Sequence, residues 1–398
     1  METTAYALLA GAAFCAPFSL PAGRALVALS LAARIIARVR ERRPLVVPLT
    51  AWLALAFAIW AVPVTVWGLH PELGVPRLSK LLWFAGIPAA ATLVRSERRL
   101  GTLLACLAAG AGILSLRVLT ARAGLVWEMI QGDGGAATAR LVHLGSMTDA
   151  QRLMIGILVT TGFLFTGNGR RARGWLWLLL AIQSTALLLQ FKRGSWICTV
   201  AVVGVLLARR ANGKVLAALA LIVSGALCLP PVRARVGELK TELSAQKGGR
   251  VVMWTRITPA IVREHPWGIG WRSLTNEMMR DIAPAVEPRR VHLHSNPAEI
   301  LVATGWLGLA VYLAWMAAAL RDAGRFCRQS RTPVEQGYAL VLLLMFAGLL
   351  VNGLVEFNFG DGEIVLLYGL IMGCAAAGSR RTVAEATGTS TGRSALPA

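Results

Sequence analysis

Two arginines and a pair of histidines supply the residue types from which a phosphate grip and a proton acceptor can be built. The first arginine lies in Gln190-Phe191-Lys192-Arg193-Gly194-Ser195-Trp196, with almost no loop between two apolar runs. A guanidinium held there at a membrane surface can grip phosphate through two N–H donors. A Lys-Arg pair at a tight turn can equally do no more than snorkel to water. The second is Arg250, with Trp254 one turn further on, an aromatic that favours the membrane interface. A charge on an amphipathic helix is the plainer account of Arg250, as it is of Arg140 and His143. In His292-Leu293-His294-Ser295-Asn296 the alternating histidines could hold a metal from a strand, but further ligands are lacking nearby, so no metal site is expected. A neutral imidazole among arginines resists protonation and can serve as a base. Glu299 falls inside the next apolar run, where a carboxylate orients a polar partner or offsets an arginine.

Membrane helices must position these groups. The 398-residue chain is 56% hydrophobic and only 15% charged, against about 25% charge in soluble domains, and its mean hydropathy is +0.60. Apolar segments of about 17 to 25 residues, matched to a bilayer core of about 30 Å, recur along almost its whole length. The fold class expected is an all-α integral membrane protein, since a barrel would need short alternating strands. About twelve spans are expected, near residues 4–19, 22–37, 45–66, 78–94, 100–120, 150–167, 174–191, 194–209, 213–230, 294–319, 333–353 and 362–378. Hydrophilic segments remain at 121–149 and, between spans nine and ten, at 231–293. In the latter, 250–264 reads as an interfacial helix, 266–270 as a turn, and 273–282 as a second short helix. Residues 1–381 thus form one membrane domain, and 382–398 read as a disordered cytoplasmic tail. Met1-Glu2-Thr3-Thr4 lacks a basic n-region, so the first apolar segment is expected to be a retained span. The six cysteines are scattered without a CxxC pair and read as packing residues.

The net charge of +21 comes without a nucleic-acid motif or an aromatic-interleaved basic surface, which excludes a nucleic-acid partner. With the N-terminus inside, the positive-inside rule sends Arg34, Arg38, Arg40, Arg42 and Arg43 to the cytoplasm. Arg95, Arg98, Arg99, the clusters at 170–173, 209–214 and 321–331, and Arg380 and Arg381 join them. Both hydrophilic segments then face outward. The outer cations run against this signal: Arg233, Arg235, Lys240, Lys247, Arg250, Arg256, Arg263, Arg272, Arg280, Arg289 and Arg290, with Lys192 and Arg193 on the same side. An anionic ligand on the outer face accounts for them. Arg24, Arg77 and Lys80, near span ends, read as snorkelling residues. A transporter of anionic lipid-linked sugars would line several spans with polar groups at mid-depth; Gln183 and Asn352 are the main ones present, so transport is the weaker reading.

Here the sequence resembles the O-antigen ligase and polymerase superfamily of bacterial envelope glycosyltransferases. Its ligases carry a histidine followed by Asn, Ser or Gln, nine residues, a glycine, and Gly, Thr or Tyr three positions later. His294-Ser295 followed by Gly305-Trp306-Leu307-Gly308 fits throughout. Arg193-Gly194-Ser195-Trp196 is similar to the family's Ser-Arg-Gly hairpin, with Lys192 where serine is usual. Arg250 with Trp254, and Pro266-Trp267-Gly268-Ile269-Gly270, resemble the loop before the histidine. The resemblance implies a GT-C-like enzyme of the inner membrane with its active site toward the periplasm and no cofactor. Its implied partners are a glycan on undecaprenyl diphosphate, a lipid A–core acceptor and the surrounding lipids. It implies metal-independent, inverting transfer in which Arg193 and Arg250 bind the diphosphate and His294 activates the acceptor hydroxyl. Lys192, His292, Glu299, Arg140 and Trp254 are supporting candidates. A polymerase of O-antigen or exopolysaccharide repeats is the alternative; the match at Gly305 and Gly308 favours ligase.

Overall fold

The computed structural model describes residues 1–42, 47–131, 134–165, 172–210, 213–239, 249–284, 286 and 292–386; among them every regular element is helical. The N-terminal half comprises α1 (Glu2–Cys15), α2 (Leu20–Arg40), α3 (Leu49–Val66) and α4 (Pro71–Leu78), which passes through a 3₁₀ stretch, Ser79–Ala85, into α5 (Gly86–Leu93). Then come α6 (Glu97–Ile130), α7 (Gly134–Leu144), α8 (Met147–Phe165), α9 (Arg173–Leu188), α10 (Arg193–Arg210), α11 (Gly213–Cys228) and α12 (Pro230–Gly237). A composite α13 follows, made of Arg250–Val252, a π turn Met253–Ile257, and Thr258–Glu264. The chain closes with α14 (Asn276–Ile282), α15 (Asn296–Gln329), α16 (Pro333–Val355) and α17 (Gly362–Ala386). Over the described residues, the apolar segments read from the sequence fall on helical stretches. The expected tail, 382–398, enters α17 as far as Ala386, and 387–398 lie outside the described residues.

Among the described residues, six helices are individually long and apolar enough to cross a bilayer: α2, α3, α6, α15, α16 and Gly362–Arg381 of α17. A seventh would be the pair Ala220–Cys228 and Pro230–Gly237, if that 91° bend lies within one span. The number falls below twelve because elements such as the 14-residue α1 and the 16-residue α9 are short. At 1.5 Å per residue, sixteen residues reach only about 24 Å of a core near 30 Å. Conversely, the 34 residues of α6 extend about 50 Å, so residues 121–130 of the hydrophilic 121–149 segment continue that helix rather than form a loop.

The best-shielded helix is α17, with 94% of its apolar window buried. Glycines let its neighbours come close: a methyl on Gly373 would press on the Ile87 carbonyl and Ala90 of α5. The two ends of α16 differ in chemistry. Around its N-terminus lie Glu335, paired with Arg381 at 2.6 Å, and Thr332, bonded to Glu97 at 2.9 Å. Glu97 opens α6 beside Arg99, and Arg99, Arg95 and Arg34 converge on Glu2 at 2.9, 2.8 and 3.4 Å. These cations come from clusters that the positive-inside rule assigned to one side. The predicted site residues other than Arg140 gather at the other end of α16.

Two backbone devices serve that second end. In α15, Gly305 takes φ 66°, ψ −171°, a region essentially closed to residues with a Cβ. The break frees carbonyls one turn earlier, and they are filled from outside the helix. Ile269 and Gly270 N–H donate to Val302 and Ala303, each at 3.0 Å, and the Trp60 indole N–H donates to Thr304 at 2.8 Å. Gly268 and Gly270, both at positive φ, let the 266–270 turn lie flat in the break. The second device is the π turn of α13. Pro259 has no N–H to close an α turn, and the Thr258 hydroxyl bonds the Met253 carbonyl at 2.9 Å. Residues 250–264 are therefore helical as read, but their apolar face is not interfacial: Val252, Met253, Ile257, Ile261 and Val262 pack with Leu274, Met279, Leu293 and Val302 in a small core.

Replacing Gly305 by Ala puts a methyl against the Pro266 carbonyl and the Trp267 backbone. Gly305→Ala should cost about 1–3 kcal/mol and visibly lower the melting temperature in detergent. Gly324→Ala on the same helix, where nothing lies within 4 Å, should leave it unchanged or slightly raised; equal melting of the two variants would contradict this account.

Candidate active site

His294 stands at the entrance to α15 with φ 49°, a left-handed conformation unfavourable for a residue with a Cβ. Its neighbours hold it there. Leu293, fully buried, donates its N–H to the Glu299 carboxylate at 2.8 Å and accepts the Trp254 indole N–H at 2.8 Å. Glu299 thus does orient a polar partner, and that partner is main chain. On the other side Asn296 spans to the α16–α17 loop: its amide donates to Asn358 at 2.7 Å, and its carbonyl oxygen accepts the Phe359 N–H at 3.1 Å. Asn358 in turn donates to the Leu349 carbonyl at 3.0 Å. Below lies a packed aromatic group, Phe84 and Trp315 at 4.4 Å between centroids, with Phe359 at 5.0 and 5.4 Å from them.

That loop delivers the residue on which the site closes. Glu356, just past the last residue of α16 and 3% exposed, faces two of the predicted residues at once. One carboxylate oxygen lies 3.0 Å from His294 Nδ1; the other pairs with Arg250, whose guanidinium also donates to the Val355 carbonyl. Burial raises the Glu356 pKa, but the hydrogen bond to His294 and the charge of Arg250 outweigh it and hold the carboxyl below its ordinary range. An ionised carboxylate only accepts, so in the neutral imidazole of His294 Nδ1 carries the proton and Nε2 keeps its lone pair. The His292 ring packs 4.0 Å from that of His294, and its Nδ1 accepts the His294 N–H at 3.3 Å.

Arg193 and Lys192 arrive from another direction. The turn between α9 and α10 has Phe191 at φ 52° and is clamped by buried Arg122, which donates to the Leu189 carbonyl and, at 3.0 Å each, to Leu144 and Gln190. Arg193, 5% exposed, donates to the Arg235 carbonyl at 2.9 Å and lies 3.7 Å from Glu238. Gly194 passes beside Asn352 and Val355 of α16. Lys192 connects the two groups: burial, then the charge of Arg235, lowers its pKa, against an opposing pull from Glu356. The structure therefore brings Arg193, Lys192, Arg250, His292 and His294 to one end of α16, backed by Glu299 and Trp254. Arg140 is not drawn in; it pairs with Glu128 on α6, both side chains substantially exposed. Lys240, Lys247, Arg289 and Arg290 lie outside the described residues.

Glu356, Asn358 and Arg122 were not picked out from the sequence, and Arg235 figured there only among the outer cations. Glu356 carried a signal, since a carboxylate at the mouth of an apolar helix invites the same question as Glu299. What could not be read was which mouth it shares.

Arranged in this way, the groups offer an oriented base beside cations suited to an oxyanion or phosphate. Among the described residues, no group of three His, Cys, Asp or Glu is arranged to hold a metal. Because its folded pKa is depressed, Glu356 contributes stability above its unfolded value near 4.5 and loses it as pH falls through the lower folded value. Glu356→Gln should therefore melt below the wild type at pH 7, with the gap narrowing once pH drops under about 4.5; a gap constant from pH 7 to pH 3 would contradict this. The family model described as O-antigen ligase matches residues 176–313, from α9 into α15. The match takes in Arg193, Arg250, His294, Gly305 and Gly308 and stops short of Glu356. A comparison with curated proteins finds no match. Over residues 176–313, this chain is similar to the family described as O-antigen ligase, and the match supports an O-antigen ligase-like superfamily.

Proposed function

We propose that the protein is an O-antigen ligase, transferring a glycan from undecaprenyl diphosphate to lipid A–core at the periplasmic face of the bacterial inner membrane. The observation that carries this reading is the convergence of His294 and Arg250 on buried Glu356, inside and beside the family-matched stretch. The acceptor hydroxyl gives its proton to Nε2 of His294 as its oxygen attacks the anomeric carbon. The bond from that carbon to the diphosphate breaks from the opposite face, so configuration inverts and the electron pair leaves with the diphosphate. Arg193 and Arg250, with Lys192, stabilise the charge that develops there, a task for which fixed cations substitute for a metal. In this structure Arg250 is held by Glu356 and the Val355 carbonyl. An incoming diphosphate competes for it, leaving Glu356 to stabilise the imidazolium formed at His294. The orientation is supported by the segregation of charge along α16, with Arg34, Arg95, Arg99 and Arg381 at the end remote from Glu356.

Transfer from lipid-linked glycan to lipid A–core in proteoliposomes tests this directly. Arg193→Ala, Arg250→Ala and His294→Ala should each lower it by roughly 10²-fold or more at unchanged membrane insertion; near-normal rates in all three would sink the mechanism. Glu356→Gln should lower kcat by roughly 10²-fold with little change in donor KM, and Glu356→Asp should recover part of the loss. A single attached glycan is expected as product; a lengthening ladder would move the assignment to the polymerases.

A further inference from the structure

On another flank of the 356–361 loop sits a second group of cations that the mechanism leaves unused. Arg272 follows Trp271 with φ 58°, a strained conformation for an arginine. Its guanidinium lies 5.2 Å over the Phe357 ring, and its Nε is buried with no hydrogen-bond partner. The Arg272 carbonyl accepts from Arg77 of α4 at 3.2 Å, and Lys80 donates to the Gly360 carbonyl at 2.9 Å. Two stretches distant in the chain, 77–80 and 272, thus send three cations to the neighbourhood of one short loop. The nearby acid is Asp361, whose carboxylate accepts from Thr148 at 2.8 Å. Burial raises its pKa against the pull of Arg272 and Lys80. Buried Glu299 also faces Arg272, but its carboxylate is taken by the Leu293 N–H, and the Arg272 Nε remains unpartnered among the described residues. Snorkelling explains Arg77, which is exposed, but not Arg272, which is half-buried, strained and stacked.

The position relative to the active site is fixed by Phe357. Its ring is shared by Arg272 and by His292, whose centroid is 6.2 Å away, and His292 packs on His294. The second group therefore flanks the proposed base on a side separate from the Arg193 and Arg250 cations, where the donor diphosphate is placed.

We propose that Arg272, Lys80 and Arg77 form a second anion subsite, which takes a phosphate monoester carried by the acceptor glycolipid and so aligns its hydroxyl with His294. This rests on the transfer reading above, and deepens it by giving the acceptor its own charged handle. One anionic group bound through several guanidinium and ammonium donors anchors a flexible saccharide better than hydroxyl contacts alone.

The test is binding, read without donor, of lipid A–core to the full-length protein in phosphatidylcholine vesicles. The glycolipid is used as isolated and after chemical removal of its phosphates. Arg272→Gln, and independently Arg77→Gln on a different element and exposed, should each weaken binding of the phosphorylated acceptor by about tenfold. The wild type should bind the dephosphorylated acceptor about as weakly as the variants do, and the donor KM should not move. Unchanged binding in both variants, or an equal loss on both acceptors, overturns the subsite. So does a defect that appears only when anionic phospholipid is added to the vesicles, which would assign these cations to bilayer headgroups. Wild-type protein that binds the acceptor but transfers nothing would count against the ligase reading and leave the subsite standing.

Discussion

The structure of the site depends on one buried carboxylate. Glu356 is placed where a long apolar helix ends, and an ionised group there is tolerable only if cations and donors come to it. Arg250 and His294 do so, from segments 106 and 62 positions distant along the chain. The same bonds that compensate the buried charge fix which imidazole nitrogen is protonated. Stability and chemistry are thus served by one interaction, and removing either partner would leave an uncompensated charge rather than a simple vacancy.

Around that centre the polar contacts are amide and main chain, with little freedom to adjust. Asn296, Asn358 and Asn352 form a buried chain between the start of α15 and the end of α16, with the Tyr368 hydroxyl 3.3 Å from Asn358. Trp254 and Glu299 hold Leu293 from two sides. Beneath them the ring cluster of Phe84, Trp315, Phe359 and Phe57 supplies a rigid floor. The effect is preorganisation: the left-handed turn at His294 is over-determined by its surroundings, so its strain is retained.

The glycines of the motif belong to the scaffold rather than to the chemistry. Gly305 breaks α15 and exposes carbonyls to which the 266–270 turn and Trp60 bond. A side chain at Gly308 would collide with Thr304 and crowd Trp60. The spacing from His294 to these glycines is therefore the length of one short helix, preceded by the histidine at one end and stopped by the break at the other. That gives a physical reason for a pattern that in the sequence is only a spacing.

Membrane character, helical class and the apolar segments are determined by the sequence itself, because hydropathy acts locally along a chain. Locality alone did not choose Arg193, Arg250 and His294: each stretch also admitted a plainer account, and the family resemblance singled them out. Locality set limits elsewhere too. Residues 121–130 read as a hydrophilic segment but continue α6, because helix propagation does not stop where apolarity does. The amphipathic face at 250–264 read as interfacial, but it meets protein, because a hydrophobic stripe does not name its partner. Glu356 shows the limit most plainly. Its charge was visible, but its meaning depended on which distant ends the bundle brings together, and only tertiary structure decides that.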